Sequence, residues 1–574
     1  MNNYFKNVII LSFFILLTFV FTWPLILTIQ NGFISPVNGG DAPLNIWDIY
    51  LFKFSLQNHI SPFYTDTLFF PEGANLIMHG YMPAMCLFSM FFKNNILAMN
   101  IYLILHFILS AFGAYLLSFK LTKQTLISII VGIAFAFSAY KMLRLTEHYM
   151  LVLTASVPFY IICFLNAFTF TEGIFFPKIL SIKNVIFCLL LGIFTALNDY
   201  YTTIYLLYFS LGWACFYKFI FYWKKWSWKK KLIILLTSFI GMHLIVEPLH
   251  AYGFDDRGGS WWGGDLLAYF IPDSNSWLWN RDIFRNIFPA LFTHEPNMEF
   301  QLFIGYSMII LTIYLIYYCI KYPLPTELSA WIFVLILFFL ITLPSIKVNG
   351  IRIIYAPTAI LHFIPFFNNL RCNTRILELI TLVLPLSTAI MLSNFLQNKT
   401  SVLIKYVLPI IFIGLTIMDL KPTPYTIMDT KSIPAIYDDV KESNGTVLTP
   451  IPTGVADGLR HDGKFMSLYQ FYQTFHQKKL SGGYISRVPE STFEYYEKDS
   501  VMHTILSLSK NMNTPFKIPS ISEKENYYRN FKTDMFLIEP SYRNSNAETY
   551  IDELIKNKKH YSILKNNYRL IILQ

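Results

Sequence analysis

Charge is scarce in this 574-residue chain: 14% of its residues are Asp, Glu, Lys or Arg, against about 25% in a soluble globular protein. The deficit is uneven. Residues 1–420 hold 25 Lys/Arg and 18 Asp/Glu, about a tenth of that segment, whereas residues 421–574 hold 20 and 17, about a quarter. With 54% hydrophobic and 18% aromatic residues, this excludes a soluble enzyme, a fibrous protein and a disordered chain. Cysteine is scarce too. All six (Cys86, Cys163, Cys188, Cys215, Cys319 and Cys372) lie in the apolar part, with no CxxC spacing. Neither a disulfide framework nor a zinc site is indicated, and they read as small buried hydrophobes. A Walker-type Gly-rich loop is absent, and the short cytoplasmic loops leave no room for a nucleotide-binding domain, which excludes an ATP-driven pump. The net charge of +10 does not point to nucleic acid, because cytoplasmic loops of membrane proteins carry a Lys/Arg excess.

What the chain has in quantity is long apolar runs. A bilayer core takes about 20 mostly apolar residues per helix. Residues 8–29 are long enough, and without a small-residue cleavage site they read as a retained first helix. Further candidates are 96–119, 125–140, 149–168, 185–198, 202–222, 232–249, 301–320, 330–343, 372–395 and 403–419, about eleven in all. The expected fold is mainly α: a polytopic transmembrane helical bundle over 1–420, with long external loops 30–95 and 249–300. A small extracytoplasmic α/β or α+β domain over 421–574 follows. Alternating or apolar runs at Thr446–Thr449, Met535–Ile538 and Arg569–Leu573 predict strands in this tail, and a helix is expected near 547–558.

Orientation follows from the basic residues. With the N-terminus in the cytoplasm, the inside loops collect Lys6, Lys120, Lys123, Lys178, Lys183, Lys218, the WKKWSWKKK run at 223–231, Lys321, Lys399 and Lys405, against Glu172 and Glu327. The positive-inside rule selects that arrangement. An odd number of spans in the inner (cytoplasmic) membrane then places the tail outside, and gathers most of the polar constellations on the same external face.

Five constellations could carry chemistry. Asn38-Gly39-Gly40-Asp41-Ala42-Pro43 combines glycines that allow positive φ with a Pro suited to a first helical turn. Asp41 is therefore either a cap of a helix over 44–57 or a catalytic carboxylate, and the two roles are compatible. The loop Ser61–Gly73, with His79 after it, offers Asp66, Glu72 and His79 as acids or ligands, or as turn-stabilising groups. Arg144, Glu147 and His148, then Asn198-Asp199-Tyr200-Tyr201, lie at span ends, where ionisable groups are functional candidates. Asp255–Asp265 includes Trp261, Trp262 and Asp265, a set suited to stacking on a sugar or to an interfacial aromatic belt. Arg371 and Arg375, spaced i, i+4, share one face of a helix entering the membrane. They suit a lipid phosphate or snorkelling to headgroups.

Taken together these features resemble the GT-C superfamily of membrane glycosyltransferases, and more closely its YfhO-like and family 39-type bacterial and archaeal branch. The resemblance lies in Gly40-Asp41 with Trp47, in Pro62–Asp66 leading to Phe70–Gly73, and in His148 followed by Pro158. It continues through Tyr200-Tyr201, Asp265–Leu267 ahead of Pro272, Glu299 ahead of Gly305, Arg371 with Arg375, Tyr469-Gln470 leading to His476, and Gly482–Arg487. It implies transfer of a sugar from a polyprenyl-phosphate-linked donor to a glycan, lipid or protein acceptor of the cell envelope. Asp41 would be the base of an inverting single displacement, and Arg371 and Arg375 would neutralise the leaving phosphate. Some relatives use a divalent cation. No ligand cluster is visible in the sequence, so the metal is left open and no other cofactor is assigned. The competing classes are a transporter or flippase of lipid-linked saccharides, for which internal repeats would be expected, and a non-catalytic envelope scaffold.

Overall fold

The computed structural model describes residues 3–36, 39–253, 261–293, 298–365, 367, 370, 372–397, 401 and 403–574. The chain is mainly helical and divides into two compact units. One comprises Met1–Ile26 and Leu103–Tyr425, the other Leu27–Tyr102 and Thr426–Gln574. The second boundary lies close to the composition change at 420. The loop 30–95, which the sequence groups with the bundle, instead packs with the tail.

Five helices of the described residues are long and apolar enough to cross a membrane: Asn95–Thr122, Thr125–Arg144, Tyr200–Lys225, Trp228–Ala251 and Asn373–Leu396. Shorter apolar helices are Phe5–Phe21, Ser156–Ala167, Ile182–Ala196, Tyr306–Lys321 and Thr326–Thr342. The chain is a multi-pass membrane protein. Two expected spans begin with a 3-10 turn, Tyr149–Val152 before Ser156–Ala167 and Asn373–Ile376 before Leu377–Gln397.

Within the first unit, the helix Leu377–Gln397 is apolar on every side, and such a helix belongs at the centre of a bundle. It packs against Thr125–Ala136, Tyr306–Lys321 and Thr326–Thr342, and 94% of its apolar window is buried. Trp228–Ala251 is equally apolar but only 6% of its window is covered by protein, so that face is left to lipid. Close helix approach needs a small residue at Gly132, where a Cβ would stand 2.6 Å from the Phe14 ring and 2.8 Å from the Ala111 carbonyl oxygen.

The second unit is built from two distant stretches of chain. Gly32–Ile34 pairs antiparallel with Ile427–Asp429. The helix Ala42–Gln57 is buried on most of its surface, and Leu468–His476 packs against it. That need for apolar cover explains why the loop joins the tail. A five-stranded mixed sheet runs in the order Lys479–Leu480, Val447–Ile451, Met535–Ile538, Tyr568–Leu573, His560–Lys565. The first three strands are parallel and the rest antiparallel. The three predicted strand segments and the helix, observed at Asn546–Ile555, are present.

The two stretches are joined by a fully satisfied buried side chain. Trp47 is completely buried and donates its indole N–H to Gln473 Oε1 at 2.6 Å. Gln473 Nε2 donates to the carbonyls of Thr67 at 2.8 Å and Lys478 at 2.9 Å. Gln473→Leu keeps the volume but strands these partners, at about 1–3 kcal/mol for each buried group left unpaired. The variant is expected to unfold at clearly lower temperature, while Trp47→Phe, which removes only one donor, loses less. Equal melting of Gln473→Leu and parent would show that this network does not hold the unit together.

Candidate functional site

In the second unit the turn before Ala42–Gln57 is locked from several sides. Gly39 and Gly40 take φ of +94° and +57°, the left-handed conformations their lack of a Cβ permits. A Cβ at Gly39 would lie 2.9 Å from Leu468 Cγ. Ser35 Oγ donates to the Gly39 carbonyl at 2.7 Å, and Ser467 Oγ donates to the Gly40 carbonyl at 2.5 Å. Asp41 follows at the N-cap position, half-buried, yet its carboxylate makes no cap hydrogen bond to the helix. Capping by its side chain, one of the two roles read from sequence, is not what the geometry shows. Asn38 lies outside the described residues.

The other acids of this loop are engaged separately. Asp66 forms an ion pair with Lys479. Glu72 is exposed, and its backbone carbonyl accepts the Tyr64 hydroxyl at 3.1 Å. His79 is buried, its Nδ1 accepting the Ser486 N–H at 3.1 Å and its Nε2 lying 3.4 Å from Asp48 Oδ1. Burial pushes the Asp48 carboxyl up, against the opposing pull of His79. Asp48 carried no distinct sequence signal, being one polar residue in an apolar helix. Among the described residues no group of three or more His, Cys, Asp or Glu gathers as a metal site.

In the first unit, Glu299 bridges two arginines. Its Oε1 accepts from Arg375 Nε at 3.0 Å and Nη2 at 2.6 Å, and its Oε2 accepts from Arg144 Nη2 at 2.7 Å. Arg144 is completely buried and Glu299 is 4% exposed. Burial alone would raise the Glu299 carboxyl, but Arg144 and Arg375 hold it well below the usual carboxylate range. Two guanidiniums share this one carboxylate, Asp199 and Asp273 lie near enough to act on Arg375 and Arg144 respectively, and Arg144 Nε and Nη1 have no hydrogen-bond partner among the described residues. Arg375 also stacks 4.8 Å from the Tyr201 ring centroid. Arg375 sits in the 3-10 turn Asn373–Ile376, ahead of the α-helix, so an α-helical i, i+4 face does not describe it. Arg371 lies outside the described residues.

The remaining candidates distribute around or away from this network. His148 Nδ1 lies 3.1 Å from Met298 Sδ. Burial, then the nearby Arg144 and Arg375, push its imidazole down to about 3, so it is neutral at physiological pH. Asp199 is buried and caps Tyr200–Lys225, accepting from Thr202 N and Oγ1, both at 2.6 Å. The same hydroxyl lies 3.0 Å from the completely buried Glu378, and its single hydrogen cannot serve both carboxylates. Tyr200 is exposed. Trp261 is exposed and Trp262 stacks on Phe300. Asp265 is buried, and its two oxygens accept backbone N–H groups of Leu267 at 2.9 Å and Gly350 at 2.7 Å. These bonds tie two loops together and use one acceptor site on each oxygen. Residues 255–260 of that constellation lie outside the described residues. Sequence reasoning missed Glu378 as a site residue, although an acid in an apolar run is the signal for one. It also missed Asp273, which is 3% exposed. Burial pushes the Asp273 carboxyl up to about 7, opposed by Arg281 and Arg144.

The sequence matches no family model and no curated protein. Among solved structures the chain is similar to the arabinofuranosyltransferase AftD from mycobacteria, at TM-score 0.49 and 12% identity, covering 99% of this chain and 40% of that one. It is similar to the oligosaccharyltransferase of Archaeoglobus fulgidus, at 0.43 and 10%, covering 98% and 73%. ArnT from Cupriavidus metallidurans follows at 0.35 and 10%, covering 99% and 97%. The chain thus spans about two fifths of the length of the arabinofuranosyltransferase.

Asp273 makes stability depend on pH with a definite sign. Its folded value of about 7 stands above the unfolded value of about 3.9, so the native state binds the extra proton between them. Stability contributed by this group therefore falls as pH rises. Between about pH 5 and about pH 8, the parent is expected to lose melting temperature relative to Asp273→Asn. Parallel pH profiles for the two proteins would show that Asp273 is ionised throughout.

Proposed function

We propose that the protein is an integral membrane glycosyltransferase of GT-C type. It moves a sugar from a polyprenyl-phosphate-linked donor to a cell-envelope acceptor at the extracytoplasmic membrane face. In this reading about eleven spans place the N-terminus in the cytoplasm and residues 421–574 outside. The observation that carries it is the Arg144–Glu299–Arg375 network. Buried guanidinium N–H groups without a partner, as on Arg144, call for an acceptor, and a guanidinium is shaped for phosphate oxygens. A lipid-borne phosphate supplies that acceptor.

The chemistry is a single displacement. Asp41 takes the proton of the acceptor hydroxyl, the oxygen attacks the anomeric carbon from the face opposite the phosphate, and the bond to phosphate breaks with its electron pair. The leaving phosphate needs charge neutralisation more than a proton. Arg375, with Arg371 in the sequence reading, supports that role. Arg375 is the more accessible of the two cations on Glu299, with 12% of its side chain exposed against 1% for Arg144.

Two variants test this in a transfer assay with membranes or detergent-solubilised protein. Asp41→Asn keeps shape and loses basicity, so turnover is expected to fall by about 10²–10⁴-fold with donor binding nearly unchanged. A transporter of lipid-linked saccharides would tolerate the change, and near-normal transfer in the variant removes Asp41 from the mechanism.

Arg375→Lys keeps the charge and loses the fork. Use of the lipid-phosphate donor is expected to weaken by about 1–3 kcal/mol, seen as a rise in the donor concentration needed for half-maximal rate. Melting temperature is followed in parallel, because Lys also weakens the bond to Glu299. An unchanged donor dependence would return Arg375 to a structural role.

A further inference from the structure

Outside the arginine network, the first unit contains a polar cavity and an apolar groove that share one wall. The cavity, about 510 Å³, is lined by Asp273, Trp277, Asn280, Arg281, Arg285 and Gln301 among others. The groove, about 370 Å³, is lined by Leu16, Phe19, Val20 and Trp23 of the first helix, with Lys421 and Pro422, and again by Trp277. The common wall is stitched in place. The Trp277 N–H donates to the Lys421 carbonyl at 3.1 Å, and Thr423 N donates to the Asn275 carbonyl at 2.9 Å. Trp279 Nε1 donates to Asp419 Oδ1 at 2.7 Å, and the Lys421 ammonium sits 4.5 Å from the Trp277 ring centroid. The far end of the groove is fixed by the Tyr425 N–H on the Trp23 carbonyl at 3.0 Å.

Asp273 gives the cavity its chemistry. Both its carboxylate oxygens are buried with no hydrogen-bond partner among the described residues. Its loop is held rigid, since Gln301 Oε1 accepts from Ser274 N at 2.9 Å and from Ser274 Oγ at 3.2 Å. A buried acceptor pair of this kind needs donors. Arg285 lies 3.3 Å from Asp282 and Arg281 acts on Asp273 itself, so each of the two arginines has a carboxylate beside it and the cavity is not a cationic patch for a bare phosphate. Hydroxyl groups supply donors without net charge, and the half-exposed Trp277 offers an aromatic face to a ring. We propose that cavity and groove together bind one amphiphile with a saccharide head, its hydroxyls donating to Asp273 and its hydrocarbon chain lying along the first helix beside Trp23. The head is either the sugar of a donor lipid or that of a glycolipid acceptor. The proposal needs no step of the transfer chemistry, so binding can fail while transfer stands, and the reverse.

The probe is an alkyl glucoside with a diazirine in its chain, applied to the full-length protein in phosphatidylcholine nanodiscs and mapped by peptide mass spectrometry. Labels are expected on residues 16–23 or 421–424, and dodecyl maltoside, but not dodecylphosphocholine or lysophosphatidylethanolamine, should compete them away. Asp273→Asn should lower capture about tenfold, and Trp277→Ala, which keeps the backbone N–H bond to Lys421, should lower it as well, with melting temperature followed for both variants. Capture that is competed equally by an ammonium- or phosphate-headed detergent overturns the saccharide head. Labels scattered over the apolar helices, or capture unchanged in both variants, overturn the site itself. Competition by a polyprenyl-phosphate sugar assigns the head to a donor, and competition only by phosphate-free glycolipids assigns it to an acceptor.

Discussion

The polar interior of the first unit depends on Glu299. Burying an arginine in an apolar bundle is tolerable only beside an anion, and removing the anion from such a pair destabilises by about 3–5 kcal/mol. Glu299 serves two at once, reaching Arg144 with one oxygen and Arg375 with the other. It lies in the 3-10 turn Met298–Phe300, with one oxygen turned to each guanidinium. Arg375 in turn lies over Tyr201, and Tyr201 follows the helix start that Asp199 caps. One carboxylate thus sets the position of both guanidiniums and, through Arg375, the packing of a helix start.

The same layer explains why the central helix tolerates a carboxylate. Glu378 is in the first turn of Leu377–Gln397, where the helix macrodipole favours negative charge. The remaining length is apolar on all faces and buried. Charge is thus confined to the end of the helix where the arginines are, while the rest builds the core.

Much of the fold was legible because its signals are local. Apolar runs of span length and the short continuous apolar run Met535–Ile538 announce themselves within a few residues, and so does the Gly-Gly-Asp-x-Pro turn at 39–43. The site was legible in part. Arg375 and Asp199 stand out as ionisable residues at helix ends, but Arg144 and Glu299 are 155 residues apart, and no periodicity connects them. Spacing alone did not give the local geometry of Arg375, which lies in the 3-10 turn Asn373–Ile376 ahead of the α-helix. The structural part of Asp265 was not legible, because the backbone N–H groups it accepts from belong partly to Gly350, 85 residues away.

The loop that carries Asp41 cannot be understood without the tail. A Gly-Gly turn is the most pliable stretch a chain can have, since glycine loses more conformational entropy on ordering than any other residue. Something must hold it if Asp41 is to have one position. Ser467 grips the Gly40 carbonyl, Leu468 fills the space that a side chain at Gly39 would need, and Gln473 anchors Trp47 one and a half turns further along the helix. All three belong to 467–473, more than 420 residues downstream. The tail is therefore not an appendage to the loop but the reason it is ordered, and changes at Ser467 or Leu468 should act on Asp41 without touching its carboxylate.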